Sequence, residues 1–247
     1  MNNRLMILLV LLILTNPAAA NARENISVAV AANFIAAFQE LAADFEIKTK
    51  INVNGSFSST GNLYNQITNG APYDMFLSAD EERPYLLSKD GIAEKPFIYS
   101  RGEVILWSAD KAFCKSANWP EALLEVRIRK IAIANYRTSP YGSQAKKALQ
   151  KAGVWDALES KLVYAQDIAQ SFQYASAGAV DAGFCSMSVT EMPQGQSGCF
   201  YRVPEADNIM QTACILKRTK NRRGAEHFAA YLNSAAAAEI KKKYGYR

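Results

Sequence analysis

Short apolar runs alternate with longer runs of helical period along the chain. Residues 26–30, apolar except for Ser27, have the pattern of a short buried strand. After Asn33, the residues Phe34, Ile35, Phe38, Leu41, Ala42 and Phe45 recur at three- and four-residue spacing and fall on one helix face. Residues 51–53 predict a second strand, followed by the polar stretch Ser56-Phe57-Ser58-Ser59-Thr60-Gly61. Leu63, Tyr64 and Ile67 continue as a helix that ends near Gly70 and Pro72, and residues 75–77 predict a third strand. This β-α-β-α-β order argues for a parallel sheet with helices on both faces.

A second set follows. Residues 104–107 and 128–134 predict strands, and Ser139-Pro140 opens a helix with serine as N-cap and proline at the first position. That helix runs through Ala145, Ala148 and Leu149 to Gly153. Residues 161–164 are extended, and Asp167 with Gln170 three positions on forms a capping-box pattern for the helix that carries Phe172 and Tyr174. Residues 182–185 and 200–203 are again strand-like, residues 212–216 predict a return strand, and residues 224–232 and 234–244 predict helices ending at Gly245. No Pro/Gly/Ser-rich linker separates the sets. Strands that cross directly between two α/β lobes are therefore expected, with ligand bound outside the carboxyl ends of the strands.

Residues 1–22 stand apart. Arg4 precedes an apolar run over 5–14, and Ala20-Asn21-Ala22 supplies a small-residue cleavage site, so a secretory signal cut before Arg23, or after Ala20, is expected. The run is shorter than the ~20 residues that span a bilayer. The first cysteine is Cys114, so the leader holds no lipid acceptor, which points to a protein free in a Gram-negative periplasm.

Charge narrows the partners. Removing Arg4 from the 28 basic residues leaves 27 against 23 acidic, a net +4, dispersed apart from Lys241-Lys242-Lys243 at a helix end. That balance gives no argument for nucleic acid. His227 is the only histidine, which leaves no Ser–His arrangement and no His-rich metal site, so an enzyme is not expected. The four cysteines lie in the exported part, where disulfides form. A Cys185–Cys199 bridge is expected, because both border short strands of one lobe and the loop between them is short.

The residues just after a strand and just before a helix carry the candidate chemistry. They are Asn33, Ser58-Ser59-Thr60, Ser139-Pro140-Tyr141, Asp167-Ile168 and Cys185-Ser186. Each alone is an ordinary cap. Their recurrence in both halves suggests converging helix N-termini, whose unpaired N–H groups and positive dipole ends attract an anion without lysine or arginine.

These segments resemble the periplasmic molybdate-binding proteins of ABC transporters. The resemblance rests on residues 28–34, on Ser56 to Leu63, on Gly70-Ala71-Pro72-Tyr73-Asp74-Met75-Phe76-Leu77-Ser78-Ala79-Asp80, on Ser139-Pro140-Tyr141-Gly142, on Asp181-Ala182-Gly183-Phe184, and on the Tyr-Gly-Tyr ending. It implies a two-lobed α/β periplasmic-binding-protein fold, each lobe a mostly parallel sheet flanked by helices, with a tetrahedral oxyanion in the cleft. The implied donors are Asn33 (side chain and backbone), Ser59 and Thr60 (hydroxyls), and the backbone N–H groups of Tyr141 and Ile168. Ser186 stands where some members place a tyrosine hydroxyl. Tyr136-Arg137-Thr138 departs from the family pattern, and Arg137 either faces solvent or reaches the anion. Asp74 and Asp80 are read as capping and packing residues.

The expected arrangement is therefore a signal over 1–22, one lobe from 23–103 plus 214–247, and a second over 104–213. The expected function is capture of molybdate or tungstate for an inner-membrane ABC permease, by a monomer without cofactor. Sulfate, phosphate or an organic acid on the same fold is the alternative.

Overall fold

A computed structural model describes residues 24–247, and the expected signal over 1–22 lies outside them. Two five-stranded sheets form the described part. The first contains β1 (Asn25–Ala31), β2 (Asn52–Ser58), β3 (Met75–Leu77), β4 (Phe97–Gly102) and β10 (Ile209–Ile215), in the order β2-β1-β3-β10-β4. The second contains β5 (Val104–Ser108), β6 (Ile131–Ala134), β7 (Leu162–Ala165), β8 (Ala182–Ser186) and β9 (Cys199–Arg202), in the order β7-β6-β8-β5-β9. In each, three neighbouring strands run parallel (β2, β1 and β3; β7, β6 and β8). An antiparallel strand, β10 or β5, then lies beside them.

Helices α1 (Ile35–Thr49), α2 (Thr60–Thr68), α3 (Glu82–Lys89), α9 (Arg222–Leu232) and α10 (Ala235–Lys243) belong to the first lobe. Helices α4 (Trp119–Leu124), α5 (Pro140–Lys151), α6 (Trp155–Leu158), α7 (Ile168–Ser176) and α8 (Pro193–Ser197) belong to the second. The α1 stripe read from the sequence is the buried one: Phe38, Leu41 and Phe45 meet Phe228 of α9 in the first core. Burying an aromatic side chain of this kind stabilises by about 1.5–3 kcal/mol. Tyr246 folds back into the same core against Phe34, with ring centroids 4.9 Å apart. The second core packs Trp119 on Phe184 and α5 on β6. Gly142 allows that last contact, since a Cβ there would lie 2.1 Å from the carbonyl oxygen of Ala134.

The chain crosses between lobes twice, from β4 to β5 through Glu103 and from β9 to β10 through residues 203–208. The return strand begins at Ile209, so residues 209–213 lie in the first sheet rather than in the second lobe, where the sequence boundary put them. Two further differences have local causes. The polar stretch at 56–58 is strand, because β2 is a sheet edge paired with β1 over seven residues and needs no apolar outer face. The helix expected at Asn33 starts as a 3-10 turn, Ala32–Phe34, before α1.

The expected Cys185–Cys199 bridge is replaced by Cys114–Cys199, with Cα atoms 6.2 Å apart. Cys185 sits on β8 with its side chain in the core, one strand away from β9 across β5, and stays a free thiol. The sequence reading weighed loop length, whereas pairing depends on which side chains share a face. Burial raises the Cys185 thiol pKa and pushes that of Cys214 up to about 12, so both are protonated and unreactive near neutral pH.

Non-reducing peptide mapping should recover a Cys114–Cys199 peptide, with Cys185 and Cys214 alkylated only after denaturation. Reduction of the bridge, which closes an 85-residue separation, should lower stability; the expected loss is about 2–4 kcal/mol in a denaturant titration.

Candidate anion site between the lobes

Five strands end at one place. The residues following β1, β2 and β3 in the first lobe, and β6 and β7 in the second, line a small pocket. Asn33, Ser59, Thr60 and Ala79 line it from one side, and Ser139, Pro140, Tyr141, Asp167 and Ile168 from the other. Every strand contributes through its carboxyl end, as the open-sheet rule requires.

The helix starts supply donors. Thr60 and Ile168 are the first residues of α2 and α7, and Tyr141 is the second of α5, so their N–H groups have no intrahelical acceptor. Each helix is capped as its sequence suggests. The Ser59 hydroxyl accepts from Asn62 N–H at 3.4 Å, that of Ser139 from Gly142 N–H at 3.3 Å, and Asp167 Oδ1 from Gln170 N–H at 3.0 Å. Gln170 returns the bond to Gln166 N–H at 2.7 Å, which completes the expected box one residue further out. Thr60 Oγ1 accepts from Ala79 N–H at 3.1 Å. A hydroxyl whose oxygen already accepts still has its proton to give. Ser59, Thr60 and Ser139 thus keep a donor for a guest.

Positive charge at the pocket comes from backbone dipoles, because no lysine, arginine or histidine lines it. Arg137 is exposed and outside the lining. Asp167 is the one carboxylate on the wall, and its Oδ1 is engaged by the cap. His227 is exposed on α9.

Behind the pocket lies a buried polar network that the sequence reading missed. Asn33 Nδ2 donates to Gln211 Oε1 at 2.9 Å, to Tyr246 Oη at 3.2 Å and to Tyr141 Oη at 3.3 Å. Its backbone carbonyl accepts from Tyr246 Oη at 2.5 Å and from Ser188 Oγ, of the other lobe, at 2.9 Å. Tyr99 Oη donates to Gln211 Oε1 at 2.9 Å. Burial raises the Tyr99, Tyr141 and Tyr246 hydroxyl pKa values, so all three phenols stay protonated around neutral pH. Asn33 Oδ1 is buried and takes no hydrogen bond. Two signals could have found it: Gln211 beside the apolar return strand, and the Tyr-Gly-Tyr ending.

The structure brings Asn33, Ser59, Thr60, Tyr141 and Ile168 together on the small pocket. Ser186 does not line it. Its hydroxyl lies 3.4 Å from Tyr141 Oη and 3.3 Å from Tyr246 Oη in the network, and it borders the adjoining, more apolar part of the cleft.

Comparison with known proteins agrees with this geometry. The family described as bacterial extracellular solute-binding protein matches residues 26–247. The chain is 38% identical to the molybdate-binding protein of Azotobacter vinelandii over 92% of its own length and 91% of the relative's. It is 37% identical to that of Rhodobacter capsulatus, covering 93% and 90%. The solved periplasmic molybdate-binding protein of Azotobacter vinelandii superposes with a TM-score of 0.85 at 32% identity, over 90% of this chain and 98% of that one. The chain belongs to the bacterial extracellular solute-binding protein family, and the relatives it matches across nine-tenths of both lengths are molybdate-binding proteins.

Proposed function

We propose that this protein captures molybdate, or tungstate of near-equal size and charge, in the small pocket and delivers it to the membrane permease of an ABC importer. The observation that carries the reading is the convergence of three helix N-termini and three free-proton hydroxyls on a pocket without a cationic side chain. A fully ionised tetrahedral oxyanion needs donors only, and this wall offers them. The single carboxylate, Asp167, already uses Oδ1 as a cap, so the wall favours a fully ionised guest over phosphate, which retains a proton near neutral pH. An organic acid would call for an arginine clamp, and Arg137 lies outside the lining. The names of the matched relatives support the same ligand.

The Asn33 amide fits the reading once a guest is present. Exchanging oxygen and nitrogen in the amides of Asn33 and Gln211 keeps the contacts of Gln211 with Asn33 and Tyr99 and lets Tyr99 donate to Ser78 O, 3.3 Å away. It also replaces the unpaired Oδ1 with an N–H donor. An unmet buried acceptor costs about 1–3 kcal/mol, so the exchange is favoured when an anion takes the new donor.

Export by a cleaved signal over 1–22, a periplasmic location, a monomeric state, and binding without cofactor or turnover complete the proposal. Among the described residues no helix is long and apolar enough to cross a membrane.

A thermal-shift panel of the mature protein with molybdate, tungstate, sulfate, phosphate and small carboxylates tests the ligand. Molybdate should stabilise by about 2.7 kcal/mol at a hundredfold excess over its Kd. Equal or greater stabilisation by phosphate would refute the assignment. Affinity should stay flat between about pH 6 and 8, because the proposed donors are amides and aliphatic hydroxyls, and burial raises the pKa values of the Tyr141 and Tyr246 phenols behind them.

Calorimetric titration of variants tests the mechanism. Ser59→Ala and Thr60→Ala should each weaken binding about tenfold to a hundredfold, the worth of a hydrogen bond to a charged group. Thr60→Ser, which keeps the hydroxyl, should stay within about threefold of the parent on the same grounds. Arg137→Ala should change affinity little at physiological salt. A large loss in Arg137→Ala with none in Ser59→Ala or Thr60→Ala would overturn the neutral-donor mechanism.

A further inference from the structure

We infer that Gly61 and Arg83 clasp the two lobes across the rim of the anion pocket and set how long a captured anion stays bound. The inference rests on the capture reading above. Neither residue lines the pocket.

Gly61 is the second residue of α2, in the first lobe, and its N–H has no intrahelical acceptor. It donates instead to the carbonyl of Thr138, in the second lobe, at 2.8 Å. Their chain neighbours, Thr60 and Ser139, both line the pocket, so this one bond ties an anion-facing helix end of one lobe to an anion-facing helix end of the other. The approach is closer than a side chain normally allows. A Cβ at position 61 would lie 3.0 Å from both the Cα and the carbonyl oxygen of Thr138, and 3.1 Å from its Cβ. These are largely backbone atoms, so the loop would have to move away.

Arg83 reaches the preceding carbonyl of the same loop, with Nη2 3.5 Å from Arg137 O. Its other terminal nitrogen pairs with Asp80 Oδ2. Asp80 is itself fixed, its Oδ1 accepting from Ser78 Oγ at 2.9 Å and from Arg83 N–H at 3.1 Å. The acid left as a packing residue by the sequence thus holds a guanidinium towards the opposite lobe. Two successive carbonyls, 137 and 138, receive donors from the first lobe. They follow β6, while the chain crossings adjoin β5 and β9, so the clasp sits away from the hinge.

A bond made only when the lobes are shut cannot help the first encounter, which takes place with the cleft open. It stabilises the closed form, and its loss should therefore appear in the release rate.

The test compares the full mature parent with Gly61→Ala, Arg83→Ala and Asp80→Asn. Association and release are measured by stopped-flow tryptophan fluorescence, and lobe separation by energy transfer between labels placed on the two lobes. The probe is molybdate, or sulfate if the panel shows that sulfate binds the parent instead. A wrong ligand assignment is thus read from the parent alone, and the clasp from variant against parent.

Release should quicken about three- to tenfold in Gly61→Ala and Arg83→Ala, the range expected for one lost hydrogen bond. Asp80→Asn should move in the same direction. Association should stay within about twofold of the parent, the anion-free melting temperature should be unchanged, and the lobes should close less completely at saturation. Arg83→Ala, a change at a half-buried rim side chain, keeps the inference testable should Gly61→Ala fail to fold. Parental release rates in the folded variants would overturn it, as would a loss confined to the melting temperature.

Discussion

A buried oxyanion without a cationic partner is held only if enough N–H and O–H groups face it, already oriented and with no other acceptor to satisfy. An unpaired buried charge would otherwise cost several kcal/mol of desolvation. Helix N-termini meet the requirement because their first N–H groups are left over by the geometry of the helix itself. The architecture of this protein follows from gathering several of them. Five strands from two sheets end around one pocket, and α2, α5 and α7 open onto it. Caps at Ser59, Ser139 and Asp167 take up the N–H groups further along each helix. Those left for a guest are the ones at the very start.

Donors from two lobes must also be brought to a common distance. The buried network does this on the hinge side. Asn33 is held by Gln211 and Tyr246 of its own lobe and by Tyr141 and Ser188 of the other. Gly102, at the crossing, leaves room for the Tyr141 hydroxyl, since a Cβ there would lie 2.0 Å from it. Tyr141 therefore links a backbone donor at the pocket to the strand where the chain changes lobe. The phenols and amides involved are neutral, so the link carries no charge that would compete with the guest.

Much of this was legible in the chain. The periodicity of residues 34–45 gave α1 and its buried face, because a 3.6-residue repeat has one interpretation. Ser139-Pro140 and Asp167…Gln170 gave two helix starts, because capping is a local interaction between residues three apart. The gathering of Asn33, Ser59, Thr60, Tyr141 and Ile168 was anticipated partly from strand–helix junctions and partly from family resemblance. The polar β2 extension was not legible, since an edge strand needs no apolar alternation and reads as a loop. The short helices α3, α4, α6 and α8 were also passed over, being too short for a period to establish itself.

Interactions between distant residues divide the two sources of information. The sequence by itself determined the α/β alternation, the caps, and the absence of a histidine pair or a basic stripe, each a matter of residue type at short spacing. Tertiary structure decided that Cys199 pairs with Cys114 and leaves Cys185 in the core, because β5 lies between Cys185 and Cys199 while the 3-10 turn over residues 111–115 brings Cys114 to β9. It placed Ser186 in the hinge-side network, and brought Gln211 and Tyr246 to Asn33 across 178 and 213 residues. It also set Gly61 against Thr138. No local pattern encodes such meetings, because they arise only when two independently formed lobes are docked and their leftover donors and acceptors find one another.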